Sequence, residues 1–490
     1  MKGKVMGKFL KVSVTTLFST LVASGAVGAF GQSAPTPATQ PAPADLQTTN
    51  AALRAKVDAL ETRLNTLESK ETQTQADVTS AIQQVLKDAD SHSQLLSSNE
   101  LGTGYDPSVG FVIRSDDGSF SLHPGLVVDF RDMTSYRTSI PAGGGGEVAK
   151  KGEDTQSGFD LTRVRLTFDG NFTKDVTYFL QLSADQGAPL SLLDAYWVYH
   201  FGDDSPFAVK VGQFKDPVWH ERNLSEANLL AVDRSLVESL LGGGQTSRVQ
   251  GVSLMYDQDR LRGQLVYHDG FNSINNKFYD AGGLGAGVGG GAGVTPTDFG
   301  VSGRAEYLAI GDRSSSFNPF SEYDHQFTSL GDKQNILVLG GGADFSQAGS
   351  NDVLFHTIDA QFNDTNGLSL YGAYLGAYRQ LHSNQGVTPG NYYDPGFLVQ
   401  AAYLVTPRIE PFVRYDYTYL SPKSVTGLQS DSAQEITIGA NYYLYAQHLK
   451  FTLDASWLPN GAPADSDALG ILKDSDHNEI VVRAQFQLAL

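Results

Sequence analysis

The stretch "FDLTRVRLTFDGNFTKDVTYFLQL", residues 159–182, alternates two kinds of surface with a period of two. Thr162, Val164, Leu166 and Phe168 fall on one face, and Arg163, Arg165, Thr167 and Asp169 on the other. After "GNFTKD" the pattern resumes, with Val176, Tyr178, Leu180 and Leu182 set against Thr177, Phe179, Gln181 and Ser183. Such a period belongs to a β-strand with one oily and one wet side. A soluble sandwich buries the oily side. The other solution turns it outward into lipid and leaves the wet side around a lumen.

The rest of the chain decides between them. From residue 109, where "GFVIRS" and the turn "DDG" open the series, about sixteen candidate strands follow. They lie near 118–133, 159–170, 175–184, 192–201, 207–214, 249–257, 260–269, 299–311, 335–345, 353–363, 368–379, 397–406, 409–420, 434–445, 448–458 and 478–490. Most approach the roughly 9–11 residues of a tilted membrane strand. Long connections (134–158, 185–191, 215–248, 270–298, 380–396, 421–433, 459–477) interleave with tight ones such as "DQD", "NDTNG", "TPR" and "AQH". That rhythm marks an outer-membrane barrel, with long loops outside the cell and short turns in the periplasm. The connection 312–334 breaks it, being long on the short-turn side. Trp197, Tyr199, Tyr378, Tyr415, Tyr417, Tyr419, Tyr442 and Trp457 sit on oily faces near strand ends, as interfacial girdles require. The fold expected is all-β: a transmembrane antiparallel barrel of about sixteen strands over 101–490, preceded by a short helical coiled coil.

The preceding parts read in order. Lys2, Lys4, Lys8 and Lys11, the apolar "VSVTTLFSTLVASGAVGA" and small residues Val27 and Ala29 make 1–29 a secretory signal. Residues 30–44 form a Pro/Ala linker. Leu46, Leu53, Leu60 and Leu67 recur every seven residues, with Asn50, Val57 and Leu64 between them. These heptads predict a coiled coil over 45–70, within a periplasmic connector that runs to residue 100. There is no cysteine, which suits an envelope protein crossing an oxidising periplasm and removes thiolate metal sites. A formal net charge of −19 argues against nucleic acid as a partner.

Several segments resemble the phosphate-selective porin O and P family of the bacterial outer membrane. They are "RVRLTFDGNFTKDVTYFLQL" (163–182), "LLDAYWVYHFG" (192–202), "VKVGQFKDP" (209–217), "DRSL" (233–236) and "SRVQGVSLMY" (247–256). At those places the family shows an Arg-rich wet strand, a "KDAYL"-like strand, "GQFKEP" and an "ERSL"-like segment. The resemblance implies trimers of sixteen-stranded barrels, and hence a trimeric coiled coil. Two departures stand out. The chain ends in Leu490 where such strands usually end in an aromatic, and the family's phosphate-selecting basic residues are not placed here by motif. Phosphate preference therefore does not follow from the name.

In a barrel, Arg163 and Arg165 line the lumen. There they attract anions, or they bridge to acids on adjacent strands such as Asp169 or Asp194. Parity also turns Arg131, Lys210, Arg262, Arg304, Arg379, Arg414, Lys450 and Arg483 inward, with Asp129, Asp169, Asp194, Glu306, Glu410, Asp416 and Asp454, a mixed wall with a slight basic excess. The connection 215–248 is too long and too apolar for a plain surface loop. Its "LSEANLLAVDRSLVESLLGGG" predicts a helix with Ser225 at the N-cap and Leu229, Val232, Leu236 and Leu240 on one face. Folded inward, it narrows the channel and presents Lys215, His220, Glu221, Arg222, Asp233 and Arg234; the alternative is a loop over the mouth or in a trimer contact. The glycine run 281–294 lacks the strand and the Lys-Ser/Thr of a phosphate cradle.

No metal spacing, nucleophile motif or cofactor site is evident. The function expected is passive diffusion of small anionic or neutral hydrophilic solutes, with a mild anion preference. The rivals are an envelope tether whose barrel is plugged and a barrel-embedded envelope enzyme. The partners expected are outer-membrane lipids, two further copies of the chain, and the cell wall through the coiled coil. If the heptads hold the assembly, cross-linking of the detergent-purified protein gives a trimer, and deleting 45–70 weakens it. A monomeric mass in mild detergent counts against that.

Overall fold

The computed structural model describes residues 101–106, 110–137, 155–202, 204–242, 247–275, 283–284, 295–296, 298–314, 317–326, 334–382, 388–421, 430–463, 469–472 and 478–490. The chain divides into two units, 1–97 and 98–490, and all of these residues belong to the second. The signal, the linker and the heptads lie outside the described residues.

A hairpin opens the unit, β1 (Leu101–Asp106) and β2 (Gly110–Ser115). The wall follows. Its first seven strands are β3 (Ser121–Arg137), β4 (Thr155–Thr173), β5 (Val176–Ser183), β6 (Ser191–His200), β7 (Phe207–Lys215), β8 (Arg248–Gln258) and β9 (Leu261–His268). A two-residue ribbon, β10 (Gly283–Leu284) with β11 (Thr295–Pro296), stands apart in the next loop. The wall resumes with β12 (Phe299–Ile310), β13 (Ile336–Ala348), β14 (Asn351–Asn363), β15 (Leu368–Leu381) and β16 (Gly390–Tyr403). It ends with β17 (Ile409–Tyr419), β18 (Ser432–Tyr445), β19 (Leu449–Leu458) and β20 (Glu479–Ala489).

Each wall strand pairs antiparallel with the next, β9 bridging to β12, and β20 pairs with β3 to close a sixteen-stranded ring. Closure reaches the last residue: Leu490 exchanges both backbone hydrogen bonds with Leu126. All sixteen strands read from the sequence are present. The largest shift is β16, which starts at Gly390 rather than 397. "YYDPG" looks like a turn, but Asp394 faces inward and pairs with Arg379, and Pro395 takes its place opposite Gly376.

The two faces of the wall are inverted relative to a soluble protein. Ile358, Ile438, Leu265 and Val399 stand more than half exposed on the outer face. Inside, Arg131, Asp129, Arg414, Asp416, Asp454 and Arg483 are almost wholly buried. Closure leaves no unpaired edge, the condition for a sheet to stand in lipid. No helix among the described residues is long and apolar enough to cross a membrane.

β13 is flanked by reversed connection lengths. The outer turn to β14 is only Gly349 and Ser350, whereas the inner connection 311–335 is the long one already evident in the sequence. The latter carries a short helix, Pro319–Tyr323, capped by Asn318, whose side chain accepts from the Phe320 N–H. Phe320 and Tyr323 are fully buried against Leu308 and Val338. Arg304 donates to Tyr323 Oη (2.5 Å) and Asp359 (2.7 Å), and Tyr323 also bonds Asp359. The inner connection is thus pinned inside the wall. Gly340 makes room for this cluster, since a Cβ there would run into Arg304, Asp359 and Tyr323. Gly340→Val is therefore expected to cost about 1–3 kcal/mol by overpacking. Limited proteolysis checks it, with faster cleavage within 311–335 expected and unchanged resistance counting against it.

Candidate functional site

The connection between β7 and β8 enters the barrel. Val218 O accepts from Thr357 Oγ1 (2.6 Å), and Val232 N donates to Asp454 Oδ2 (2.9 Å), so the segment spans the lumen between β14 and β19. Val218, Trp219, Leu236, Val237, Leu240 and Leu241 pack against inward residues of the wall, including Phe355, Leu375 and Leu398. The oily residues that made 215–248 improbable as a surface loop fill the interior.

The helix expected over 224–244 does not form. A 3-10 turn, Glu226–Asn228, and a short helical stretch over 236–242, whose Glu238–Gly242 part is a π turn, interrupt an otherwise extended course, and Ser225 precedes the first turn without a side-chain cap bond. The wall supplies the bonds that helix formation would have made. Lys450 Nζ donates to Leu229 O (2.6 Å), Asn441 Nδ2 to Leu230 O (2.8 Å), and Arg414 Nη1 to Asp233 O (2.9 Å). Glu435 accepts from Leu236 N at 3.2 Å. A backbone satisfied by its surroundings has no need of internal i to i+4 bonds.

Asp233 is the electrostatic centre. Its carboxylate accepts from Arg131 (2.8 Å), Arg163 (2.9 Å) and Arg483 (3.3 Å), which come from β3, β4 and β20. Burial alone raises its carboxyl, but Arg131, Arg163 and Arg483 outweigh burial and hold it down at about 2. Around it Arg163 also meets Asp129 (3.2 Å), Arg483 meets Asp454 (2.8 Å), and Arg414 meets Glu435 (3.3 Å). Arg165 bridges Asp185 (2.8 Å) and Glu226, and Glu226 also holds Arg234 (2.9 Å).

The acids proposed as partners of the two arginines serve other residues. The β3–β4 register sets Asp129 opposite Arg163 and His123 opposite Asp169, so Asp169 takes His123. Asp194 takes Arg248 (2.8 Å), which opens β8 and so lies at the edge of the alternating pattern. Of the six loop residues expected to face the constriction, Asp233 is the one whose carboxylate joins wall arginines. Lys215 donates to Leu224 O (2.8 Å), Arg222 to Glu238 (3.1 Å) and Ser247 Oγ (2.8 Å), and Arg234 to Glu221 O (2.9 Å). Glu221 accepts from Ser235 N (2.8 Å) and Oγ (2.6 Å), and His220 stacks on Tyr323 with centroids 3.8 Å apart. These five hold the inserted segment in shape. Arg262 pairs with Glu306 (2.5 Å) and Asp324 (2.7 Å) at the inner connection. Asp344, Asp359, Asp394, Glu435 and Glu479 also line the interior, so the slight basic excess disappears. The glycine-rich "GGGADF" gives parity little to read around Asp344.

Lys210 differs from the arginines. Its Nζ lies over the rings of Tyr196 (5.2 Å) and Phe214 (4.9 Å), 3.5 Å from Gln264 Oε1, and no ion pair involves it among the described residues.

Residues 145–309 match the family model of phosphate-selective porin O and P. The match places this block in that family. It contains the inserted segment and most of the strands that carry the resemblance. Among solved structures, the anion-selective porin from Comamonas acidovorans superposes with a TM-score of 0.50 at 12% identity, covering 76% of this chain and 100% of that one. The outer membrane channel DcaP of Acinetobacter baumannii gives 0.46 at 10% identity, over 76% and 99%. The likeness to the Comamonas porin bears on the fold alone, and no curated protein matches the chain. With the family match to this block and the closed, lipid-facing barrel, the chain has the fold of an outer-membrane porin.

Removing the central carboxylate leaves three buried guanidinium groups short of a partner. Asp233→Asn is expected to destabilise the constriction by about 3–5 kcal/mol, the usual cost of breaking a buried ion pair. Planar-bilayer recording checks it: higher, noisier single-channel conductance from a barrel that still inserts is expected, and traces like the parent's count against it. Because the Asp233 pKa is depressed, its stabilisation is fully present above about pH 4 and is lost as pH falls toward 2. Parental conductance is therefore expected to be steady between pH 5 and 8.

Proposed function

We propose that this porin passes small anionic or neutral hydrophilic solutes by passive diffusion, along a strip of the wall formed by β4 to β9. The observation that carries this is the uneven burial of the interior. Inward side chains of β13 to β20 are buried almost throughout, whereas Thr167, Asp169, Phe179, Tyr196, Lys210 and Gln264 are half-buried. Phe179 and Tyr196 stack at 5.4 Å, and Lys210 lies beside them. A cation held by rings and an amide keeps its field available to a passing solute, whereas the arginines spend theirs on Asp129, Asp185, Glu226 and Asp233. Mild anion preference is accordingly assigned to Lys210 and not to Arg163 and Arg165. Phosphate is one anion among others on this reading.

The heptads at 45–70 are assigned to hold three copies together in the periplasm, where they can also reach the cell wall. A second reading, a tether whose barrel is plugged, is favoured by the extent to which the inserted segment fills the interior.

Reversal potential under a salt gradient separates these readings. The parent is expected to favour anions, and Lys210→Gln to shift the potential toward cations, less so at high salt because screening shortens the reach of the charge. Chloride and phosphate gradients are expected to give similar preferences. A cation-selective parent, or a Lys210→Gln channel with parental selectivity, overturns the anion assignment. Absence of any steady channel supports the plugged tether.

A further inference from the structure

Interior carboxylates of this barrel are commonly matched to guanidinium groups, but the root of the inserted segment departs from that rule. Asp216 follows β7 directly, is fully buried, and has no hydrogen-bond partner on either carboxylate oxygen. Beside it stands Asp344 of β13, equally buried, whose Oδ1 accepts from Ser346 Oγ at 2.9 Å. Ser302 Oγ of β12 is buried beside Asp216, within its reach but without a hydrogen bond of full geometry. His268, at the end of β9, completes the group: one ligand-type atom from each of Asp216, His268 and Asp344 lies within 4.8 Å of the others. No arginine or lysine forms an ion pair with either aspartate among the described residues.

The imidazole settles which atoms face the cluster as ligands. His268 Nδ1 accepts the Gly270 N–H at 3.0 Å, so its proton sits on Nε2, 3.2 Å from Asp344 Oδ2. A ring in that tautomer turns a proton and not a lone pair toward the carboxylate, so it cannot also coordinate through Nε2, and the 3.2 Å approach is a charge contact without hydrogen-bond geometry. Its seat is fixed, because a Cβ at Gly300 or Gly251 would collide with it. What remains is an oxygen set of two carboxylates and a hydroxyl. Such a set suits a hard divalent cation, whereas zinc prefers nitrogen and sulfur. Two buried carboxylates without a counter-charge are costly, and one divalent ion neutralises both.

We propose that Asp216, Asp344 and Ser302 bind one calcium or magnesium ion, with His268 orienting Asp344. The site joins the segment's root to β12 and β13. Asp216 N also donates to Ser247 O (3.1 Å), which clips the two ends of the segment together. Cation binding therefore fixes the anchor from which the constriction hangs.

The test uses the full-length protein refolded in detergent and stripped with a chelator. Calcium or magnesium chloride is titrated in by calorimetry, and the unfolding midpoint is followed with and without the ion. One site per chain and a midpoint raised by the ion are expected. Asp216→Asn and Asp344→Asn are expected to remove both effects, and His268→Gln to weaken affinity about 10–100-fold, as loss of an orienting partner does. Should either aspartate variant fail to fold, Ser302→Ala serves in its place, with weakened binding and an unchanged midpoint in the stripped state. The proposal is overturned if neither ion binds the parent, or if binding is unaffected by these substitutions. Tighter binding of zinc, lost in His268→Gln, overturns the oxygen-only site. A stripped midpoint that rises on acidification without any cation effect overturns it in favour of a proton shared between the carboxylates.

Discussion

One buried carboxylate organises the interior. Asp233 sits between guanidinium groups from β3, β4 and β20, the three strands at the seam where the barrel closes. An arginine in a low-dielectric interior is tolerable only when its charge is matched and its donors are used. Asp129, Asp454, Glu435 and Glu226 extend the matching outward from Asp233. The inserted segment is therefore part of the charge balance of the wall, and the wall in turn supplies its backbone bonds.

This accounts for a segment that is oily, charged and broken into short helical turns instead of one helix. Its leucines and valines meet apolar wall positions such as Phe355 and Leu398, and its charged residues largely bond one another. The inner connection 311–335 meets it from the opposite side: Gln326 N donates to Asn228 O (3.0 Å), and Gln326 Oε1 accepts from Leu230 N (3.2 Å). Two loops of opposite origin thus narrow one lumen.

The wall was legible in the sequence because each strand separates lipid-facing from inward-facing residues by parity, a local signal. The last strand, near 478–490, was legible by the same alternation. Partner choice was not, because it depends on register and on contacts far apart in the chain. Arg163 lies beside Asp129 owing to the β3–β4 pairing, a bulge at Asp129/Phe130 included. Its bond to Asp233 spans 70 positions, and that of Arg483 to the same carboxylate spans 250. The helix expected from Leu229, Val232, Leu236 and Leu240 failed for the same reason: those spacings record burial, and wall side chains provided the burial and the bonds. Asp216, Asp344 and His268 carry no sequence motif and meet only through topology.

The span of the segment's contacts bears on how the barrel is made. Its backbone is held by Asp454, Lys450 and Gln487, which lie more than 200 positions further along the chain. None of those partners exists until the last strands are in place. Contacts of such long sequence separation are slow to form. The constriction is consequently a late event of assembly, set when β20 meets β3, and a barrel interrupted before closure carries an unanchored segment through an open seam. The same residues that narrow the finished channel thus act as a seal on its completion.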